Sequence, residues 1–189
     1  MTVPGAFSIL VVCTANICRS PLIEHLLRAE LNAGPSEVAF DVRSAGILGL
    51  DGSGMDPHSA AELVRLGGDS AGFRARSFTA EIGSNADLIL TAAVEHRAQV
   101  LQEFPRALRR TFTLLEFAHL VSEVSVVREA GSPRELVRLA AAARGAASID
   151  AYDIPDPFGS STHIHRQTAS IVHNAVVSVA VGLRGGDDY

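Results

Sequence analysis

The sequence contains no lysine and no tryptophan, and only two of its 189 residues are cysteine. All 16 basic residues are therefore arginine, so an anion site on this chain must rely on guanidinium and backbone N–H groups. The net charge of −5 argues against a general nucleic-acid coat, which needs an excess of basic residues. Two cysteines are too few for a secretory disulfide framework, which favours a reducing, cytoplasmic location.

Long apolar runs are also missing. The apolar run at 7–12 is too short for a signal peptide, and no charged region precedes it. The apolar stretch at 171–183 includes His173 and Asn174 and falls short of the ~20 residues that a membrane helix needs. Hydrophobic residues make up 47% of the chain and charged residues 20%, which is ordinary for a globular protein. We therefore expect one soluble domain over residues 1–189, without a membrane partner.

Strand-like and helix-like segments alternate along the chain, which is typical of a layered α/β domain. β-Branched and apolar runs predict strands at 7–12, 38–44, 86–90 and 111–115. Helical spacing and helix-start signals predict helices from Pro21 to Gly34, after Asp56-Pro57, at 92–103 and at 161–181.

The segment 116–151 fits this alternation least well. The residues Ser132 to Glu135 form a capping-box pattern that predicts a helix over 136–144. We expect an exposed helical insertion at about 116–151, and its role stays open.

The loop between the first strand and the first helix carries the chemistry. Residues 13–21 are Cys-Thr-Ala-Asn-Ile-Cys-Arg-Ser-Pro. Free N–H groups and the helix dipole at this point favour an anion, and the loop can curl around a tetrahedral oxyanion. Arg19 can hold two of its oxygens, while Cys13 at the base becomes a thiolate aimed at the cradled phosphate. The spacing alone also fits a buried structural Cys13.

The complete loop resembles the signature of the low-molecular-weight protein tyrosine phosphatases, with Cys13, Asn16 and the run 18–21 at its fixed positions. The resemblance implies that Cys13 and Arg19 are catalytic and that no metal or other cofactor is needed. Ser44-Ala45-Gly46 is similar to the family's Ser-Ala-Gly, which implies a supporting network of Asn16, Ser20 and Ser44. By the same resemblance, the phosphate-binding residues are Thr14, Ala15, Asn16, Ile17, Cys18, Arg19 and Ser20.

A general acid should protonate the leaving oxygen of a phosphotyrosine. Asp156-Pro157 is similar to the family's Asp-Pro loop, which implies that Asp156 is this acid. Asp153 is the reserve candidate for the general acid; it ranks below Asp156 because no proline follows it. The resemblance further implies a reversible disulfide between Cys18 and Cys13, although Cys18 also fits a small packed residue.

Two features depart from the family pattern. Ala15 stands where the family usually has glycine, and a positive φ at this position would strain the loop. The tyrosines that usually follow the Asp-Pro pair are missing, which leaves Phe158, Leu48 and Leu50 as candidate walls of the substrate cleft.

Pattern and resemblance together predict a three-layer α/β domain with a mostly four-stranded parallel sheet and a phosphate-binding loop after the first strand. We expect a phosphatase that forms a cysteinyl-phosphate and acts on a phosphotyrosine-containing protein or a small aryl phosphate. The alternatives are an arsenate reductase that uses an external thiol, and a non-catalytic phosphate or phosphopeptide binder. Solvated surface positions are expected for six further residues: Arg74, Arg76, Arg109, Arg110, His163 and His165.

Overall fold

The computed structural model describes residues 5–34, 38–123, 130–145 and 152–185. Four parallel strands form one sheet in the order β2-β1-β3-β4. These strands are β1 (Phe7–Cys13), β2 (Phe40–Gly46), β3 (Leu88–Thr91) and β4 (Thr111–Thr113). The predicted four-stranded parallel α/β fold is thereby confirmed.

Helices follow each strand and cover both faces of the sheet. They are α1 (Arg19–Asn32), α2 (Pro57–Arg65), α3 (Ala80–Ser84), α4 (Val94–Glu103), α5 (Leu114–Ser122), α6 (Pro133–Ala143) and α7 (Thr162–Leu183), with a 3-10 helix at Pro105–Arg110. None of these described helices is both long and apolar enough to cross a membrane.

The central strand β1 is buried on both faces, which explains its continuous apolar sequence. Ile9 and Val11 belong to a core formed with α1, α5 and α7. Leu10 and Val12 belong to the opposite core, with Val100 of α4. Burial on both sides therefore makes β1 the rigid base of the loop that follows it.

The strand order puts that loop at the edge of the sheet where the carboxyl ends of the strands meet. β1 lies between β2 and β3, so successive connections leave it in opposite directions across the sheet. Open α/β sheets bind ligands in the crevice that forms at the carboxyl ends of strands at such a point. The loop after Cys13 and the residues after Thr91 share this edge.

The predicted fourth strand at 111–115 is too long, because α5 already begins at Leu114. The Thr113 side chain accepts from the Glu116 N–H, and the Glu116 carboxylate accepts from the Thr113 N–H. This capping box ends the strand and starts the helix within one residue.

The segment expected as an exposed insertion is helical where the structure describes it, but the expected exposure is wrong. Phe117 and Leu120 of α5 and Leu136 and Ala140 of α6 are buried in the larger core. Both helices are amphipathic, and each turns its apolar side towards the sheet or α7. The parts of this segment at 124–129 and 146–151 lie outside the described residues.

Other element boundaries shift by a few residues. β2 is found two residues later than predicted and continues through Gly46, while β3 begins at Leu88 and includes Thr91. The short helix α3 was not predicted, because its five residues include Gly83 and Ser84 and have no clear apolar periodicity.

Candidate active site

The loop from Thr14 to Cys18 joins β1 to the first turn of α1. Within the described part of the chain, none of the backbone N–H groups of residues 14–18 donates to a protein acceptor. The N-terminus of α1 also has no side-chain cap. The loop and the helix terminus thus supply a set of donors and a partial positive charge for one anion.

Asn16 carries the unusual backbone conformation of this loop. Its φ is 58°, in the left-handed region that asparagine tolerates better than most residues. The fully buried side chain donates from Nδ2 to Ser20 Oγ and Ser44 Oγ, each at 2.8 Å. Ala15 is not among the described residues with positive φ, so alanine at this position does not produce the strain considered above.

A second set of polar groups holds the loop from behind. The Arg76 backbone N–H donates to Asn16 Oδ1 at 2.9 Å, and Arg76 Nε donates to the Ser44 carbonyl at 2.7 Å. Ser44 Oγ donates to the buried carboxylate of Glu24. The expectation that Arg76 is a solvated surface residue is therefore wrong. Sequence reasoning also missed Glu24, which the helical periodicity of α1 does not mark as special.

Gly46 allows this close approach between β2 and the loop. A Cβ atom at Gly46 would lie 2.5 Å from the Thr14 carbonyl oxygen and 2.8 Å from the Asn16 nitrogen. Both neighbours are backbone atoms that cannot move aside cheaply. Glycine therefore completes the Ser44-Ala45-Gly46 segment for a steric reason.

Cys13 lies at the base of the loop, at the buried end of β1. Its Sγ is 2.9 Å from Ser20 Oγ, and either atom can be the donor. When the hydroxyl donates, it stabilises a thiolate, which is the nucleophilic form of cysteine.

Arg19 and Asp156 meet across the mouth of the loop. Arg19 Nη2 is 2.7 Å from Asp156 Oδ2 and 3.3 Å from Thr14 Oγ1. Its Nη1 donates to the Ile154 carbonyl at 3.4 Å. The structure therefore brings together Cys13, Arg19 and Asp156, which are separated by up to 143 positions in the sequence.

The backbone before Asp156 is anchored to the sheet. The Ile154 N–H donates at 2.8 Å to the carbonyl of Ala92, the residue that follows β3. The Ile154 side chain is buried. Asp153 points elsewhere, since its carboxylate accepts from the Val94 N–H at the start of α4 at 2.8 Å. Asp153 therefore caps a helix, and Asp156 is the carboxylate that reaches Arg19.

His96 joins the site without any prediction from the sequence. Its Nε2 is 2.9 Å from Thr14 Oγ1, the hydroxyl that also contacts Arg19. Burial and the neighbouring Arg19 cation lower the pKa of His96 from its usual value, so the ring prefers its neutral form. The one available signal was its position in the first turn of the helix that follows β3.

Cys18 is buried on the opposite side of the loop, where burial raises the pKa of its thiol to about 12. The Ser59 side chain contacts Cys18, and its Oγ lies 3.1 Å from His165 Nδ1. The expected solvation of His165 is therefore wrong, whereas His163 is exposed. Cys13 and Cys18 are both free thiols here, and their disulfide stays a prediction.

Exposed apolar side chains flank the loop. The exposed fractions are 71% for Leu48, 50% for Leu50 and 64% for Phe158. The Leu48 and Leu50 N–H groups donate to the carbonyls of Thr14 and Ala15, at 2.9 and 3.1 Å. The two leucines are thus attached directly to the loop, and Phe158 follows Asp156 on the other side.

In the described ranges, no group of three or more histidine, cysteine, aspartate or glutamate side chains is arranged to hold a metal ion. The chemistry available at this site is that of a thiol, a guanidinium, a carboxylate and a ring of backbone donors.

Comparison with known proteins identifies the family of this chain. The family model described as low molecular weight phosphotyrosine protein phosphatase matches residues 8–127. The chain is 42% identical over 104 residues to the low molecular weight protein-tyrosine-phosphatase Etp of Escherichia coli K12, a match that covers 55% of this chain and 66% of Etp. It is 31% identical over 134 residues to a protein-arginine-phosphatase of Geobacillus stearothermophilus, covering 71% of this chain and 86% of that protein.

A solved structure agrees with these sequence matches. The tyrosine phosphatase Wzb from Escherichia coli K30, in complex with sulphate, superposes with a TM-score of 0.69 and 26% identity, covering 93% of this chain and 96% of Wzb. The chain therefore belongs to the low molecular weight phosphotyrosine protein phosphatase family, a family of hydrolases.

Proposed function

We propose that this protein hydrolyses aryl phosphate monoesters, with phosphotyrosine in a protein as the substrate class, through a phosphocysteine on Cys13. The observation that carries the proposal is the Arg19–Asp156 ion pair of 2.7 Å at the mouth of the loop that begins at Cys13. It brings an anion clamp and a proton donor to the place where a nucleophile and free backbone N–H groups converge.

Arg19 has a different partner before and after substrate binds. A phosphate dianion held by Nε and Nη2 of Arg19 takes the place of the Asp156 carboxylate on Nη2, while Nη1 keeps its bond to the Ile154 carbonyl. Asp156 is half-exposed and lies in a loop, so it can turn towards the leaving oxygen. Substrate binding then positions the acid at the same moment as it engages the clamp.

The reaction has two steps. In the first, Cys13 Sγ attacks phosphorus, the bond from phosphorus to the phenolic oxygen breaks, and Asp156 gives that oxygen a proton. In the second, water attacks the phosphocysteine, Asp156 takes a proton from the water, and the sulfur–phosphorus bond breaks to release phosphate. Backbone N–H groups of the loop stabilise the negative charge on the equatorial oxygens in both steps.

The walls of the cleft favour an aromatic leaving group. Leu48, Leu50 and Phe158 offer apolar contact to a phenyl ring. A phosphoarginine substrate is the second candidate, because one relative with 31% identity is a protein-arginine-phosphatase. A guanidinium leaving group is cationic and gains less from these apolar walls.

A cytoplasmic location stays a prediction.

The test measures hydrolysis at mildly acidic pH, in the presence of a chelator, with p-nitrophenyl phosphate, phosphotyrosine and phosphoarginine. We expect the highest kcat/KM with the aryl phosphates and no turnover by Cys13→Ser. Asp156→Ala should lower kcat by about 10²–10⁴-fold with phosphotyrosine, and by less with p-nitrophenyl phosphate, whose leaving group needs less protonation.

Asp153→Ala is the matched control, because Asp153 is a neighbouring carboxylate that caps α4. It should retain most of the activity. Loss of activity in Asp153→Ala alone would assign the acid role to Asp153 instead. A folded wild type that binds phosphate without hydrolysing any substrate would contradict the enzyme and favour the binder or the arsenate reductase.

A further inference from the structure

A second polar cavity lies beside the phosphate loop, on the β2 side of the sheet. It is open to solvent, has a volume of about 330 Å³ and is bordered by α1, β2 and the loop at 71–76. The Glu24 carboxylate lines it together with four of the 16 arginines, which are Arg28, Arg43, Arg74 and Arg76. We call this space the arginine cavity.

Two of the four arginines have carboxylate partners. Arg28 pairs with Glu24, and Arg43 Nε lies 3.0 Å from Asp41. Arg74 and Arg76 form no ion pair with any described residue, and each donates to a backbone carbonyl at 2.7 Å. Among the described residues, Arg74 and Arg76 are therefore the two guanidinium groups of the arginine cavity without a carboxylate at ion-pair distance, and we call these two groups unbalanced.

Arg76 is the more buried of these two. Burial lowers the pKa of its guanidinium, and the Arg43 cation adds to this effect, while Glu24 and Asp41 oppose it. A partly desolvated cation that has no carboxylate at ion-pair distance costs free energy, which a bound anion would recover. Arg74 is exposed at the mouth of the cavity, where it can meet an incoming anion.

We propose that the arginine cavity binds a phosphate- or sulfate-type dianion at a site separate from the phosphate loop. Two negative charges match the two unbalanced guanidinium groups, and tetrahedral oxygens suit the planar donors of arginine. The ligand is either the free ion or a phosphoryl group on a protein side chain. The proposal does not depend on the phosphatase activity, because binding itself is the readout.

The arginine cavity also touches the scaffold of the phosphate loop. The Arg76 backbone N–H donates to Asn16 Oδ1, and Arg76 Nε donates to the Ser44 carbonyl. Occupation of either site can therefore perturb signals from the other. A test must resolve two dissociation constants instead of a single overall response.

The experiment is an NMR titration of the full chain with sodium sulfate at constant ionic strength. The Arg76 Nε–H and the backbone amides of Gly72 and Phe73 report on the arginine cavity, and the amides of residues 14–18 report on the phosphate loop. We expect the two groups of signals to saturate independently, with a Kd for the cavity of about 1–10 mM or lower.

The test variant is Arg74→Glu, which reverses one unbalanced charge at an exposed position. It should weaken sulfate binding to the cavity by about tenfold or more and leave the Kd of the phosphate loop unchanged. Arg109→Glu, an exposed arginine in the 3-10 helix, should change neither Kd.

Three results would overturn the proposal. The cavity signals could fail to saturate, they could follow the phosphate-loop signals in both wild type and Arg74→Glu, or Arg109→Glu could weaken binding as much as Arg74→Glu.

A parallel titration with O-phospho-L-serine separates the two sources of the ligand, because only a cavity that accepts a protein-borne phosphoryl group should bind it as tightly as sulfate.

Discussion

Two histidines, the buried His96 and the half-buried His25, illustrate how single residues determine the response of this protein to pH. Burial lowers the pKa of both His25 and His96, and the Arg19 cation further lowers that of His96. An unfolded histidine has a pKa of about 6.5, so the unfolded chain binds more protons than the folded chain once the pH falls below this value. The folded state therefore loses stability as the medium becomes acidic.

We expect the free energy of unfolding to decrease as the pH is lowered from about 7.5 to about 5. His96 contributes at most about 1.4 kcal/mol per pH unit to this decrease. His96→Gln retains an amide that can meet Thr14 but removes the titration, so it should flatten this dependence. Urea unfolding at several pH values measures the effect. His163→Gln, at an exposed position on α7, is the control, and equal slopes for wild type and His96→Gln would contradict the assignment.

At the scale of secondary-structure elements, one buried carboxylate connects three segments. Glu116 closes the capping box of α5, lies 2.8 Å from Arg97 of α4, and lies 3.0 Å from Arg144 at the end of α6. Its side chain is only 3% exposed. Removing one member of a buried ion cluster leaves the others desolvated and unpaired.

Glu116→Gln should therefore lower the free energy of unfolding by about 3 kcal/mol. The matched control is Glu135→Gln, which removes an exposed i,i+3 pair with Arg138 on α6 and should leave stability unchanged. Urea denaturation of both variants provides the comparison. A loss for Glu116→Gln no larger than that for Glu135→Gln would contradict a structural role for the buried cluster.

At the scale of the whole molecule, we propose that the chain folds as a single domain that includes the segment first expected as an insertion. Leu136 of α6 and Leu27 of α1 are both buried in the larger core. Gly182 of α7 faces Val121 and Leu136, and a Cβ atom there would lie 2.9 Å from Val121 Cβ. The helices α5, α6 and α7 are thus packed against one another without spare space.

Leu136→Ala should lower the free energy of unfolding by about 2–5 kcal/mol, in the same range as Leu27→Ala. Both variants should unfold in one cooperative transition when followed by far-UV circular dichroism and by calorimetry. The exposed Leu108→Ala is the control and should change little. A separate early transition in Leu136→Ala alone would show that α6 belongs to an independent unit.

The fold could be predicted from the sequence wherever local patterns and global burial agree. The apolar run of β1, the Asp56-Pro57 helix start and the periodicity of α1 were each sufficient for the correct element. The fourth strand was predicted too long, because Leu114 and Leu115 fit a strand and a helix equally well and only the capping box decides between them.

The candidate site likewise contains residues that the local sequence predicts and residues that only the tertiary structure reveals. The loop at 13–20 was recognisable because its residues are contiguous, so their order in the sequence is also their order in space. His96, Glu24 and Arg76 were missed, because each reaches the site from a different element and no spacing in the sequence records that approach.

The sequence by itself determined the local chemistry of this protein: a cysteine, five loop residues and an arginine after a buried strand, together with the family to which that order belongs. Only the tertiary structure decided which carboxylate faces Arg19, that Asn16 and not Ala15 takes the left-handed conformation, and that two unbalanced arginines share a cavity. The reason is physical. Chain order specifies covalent neighbours, whereas ion pairs, burial and backbone strain depend on which distant segments pack together.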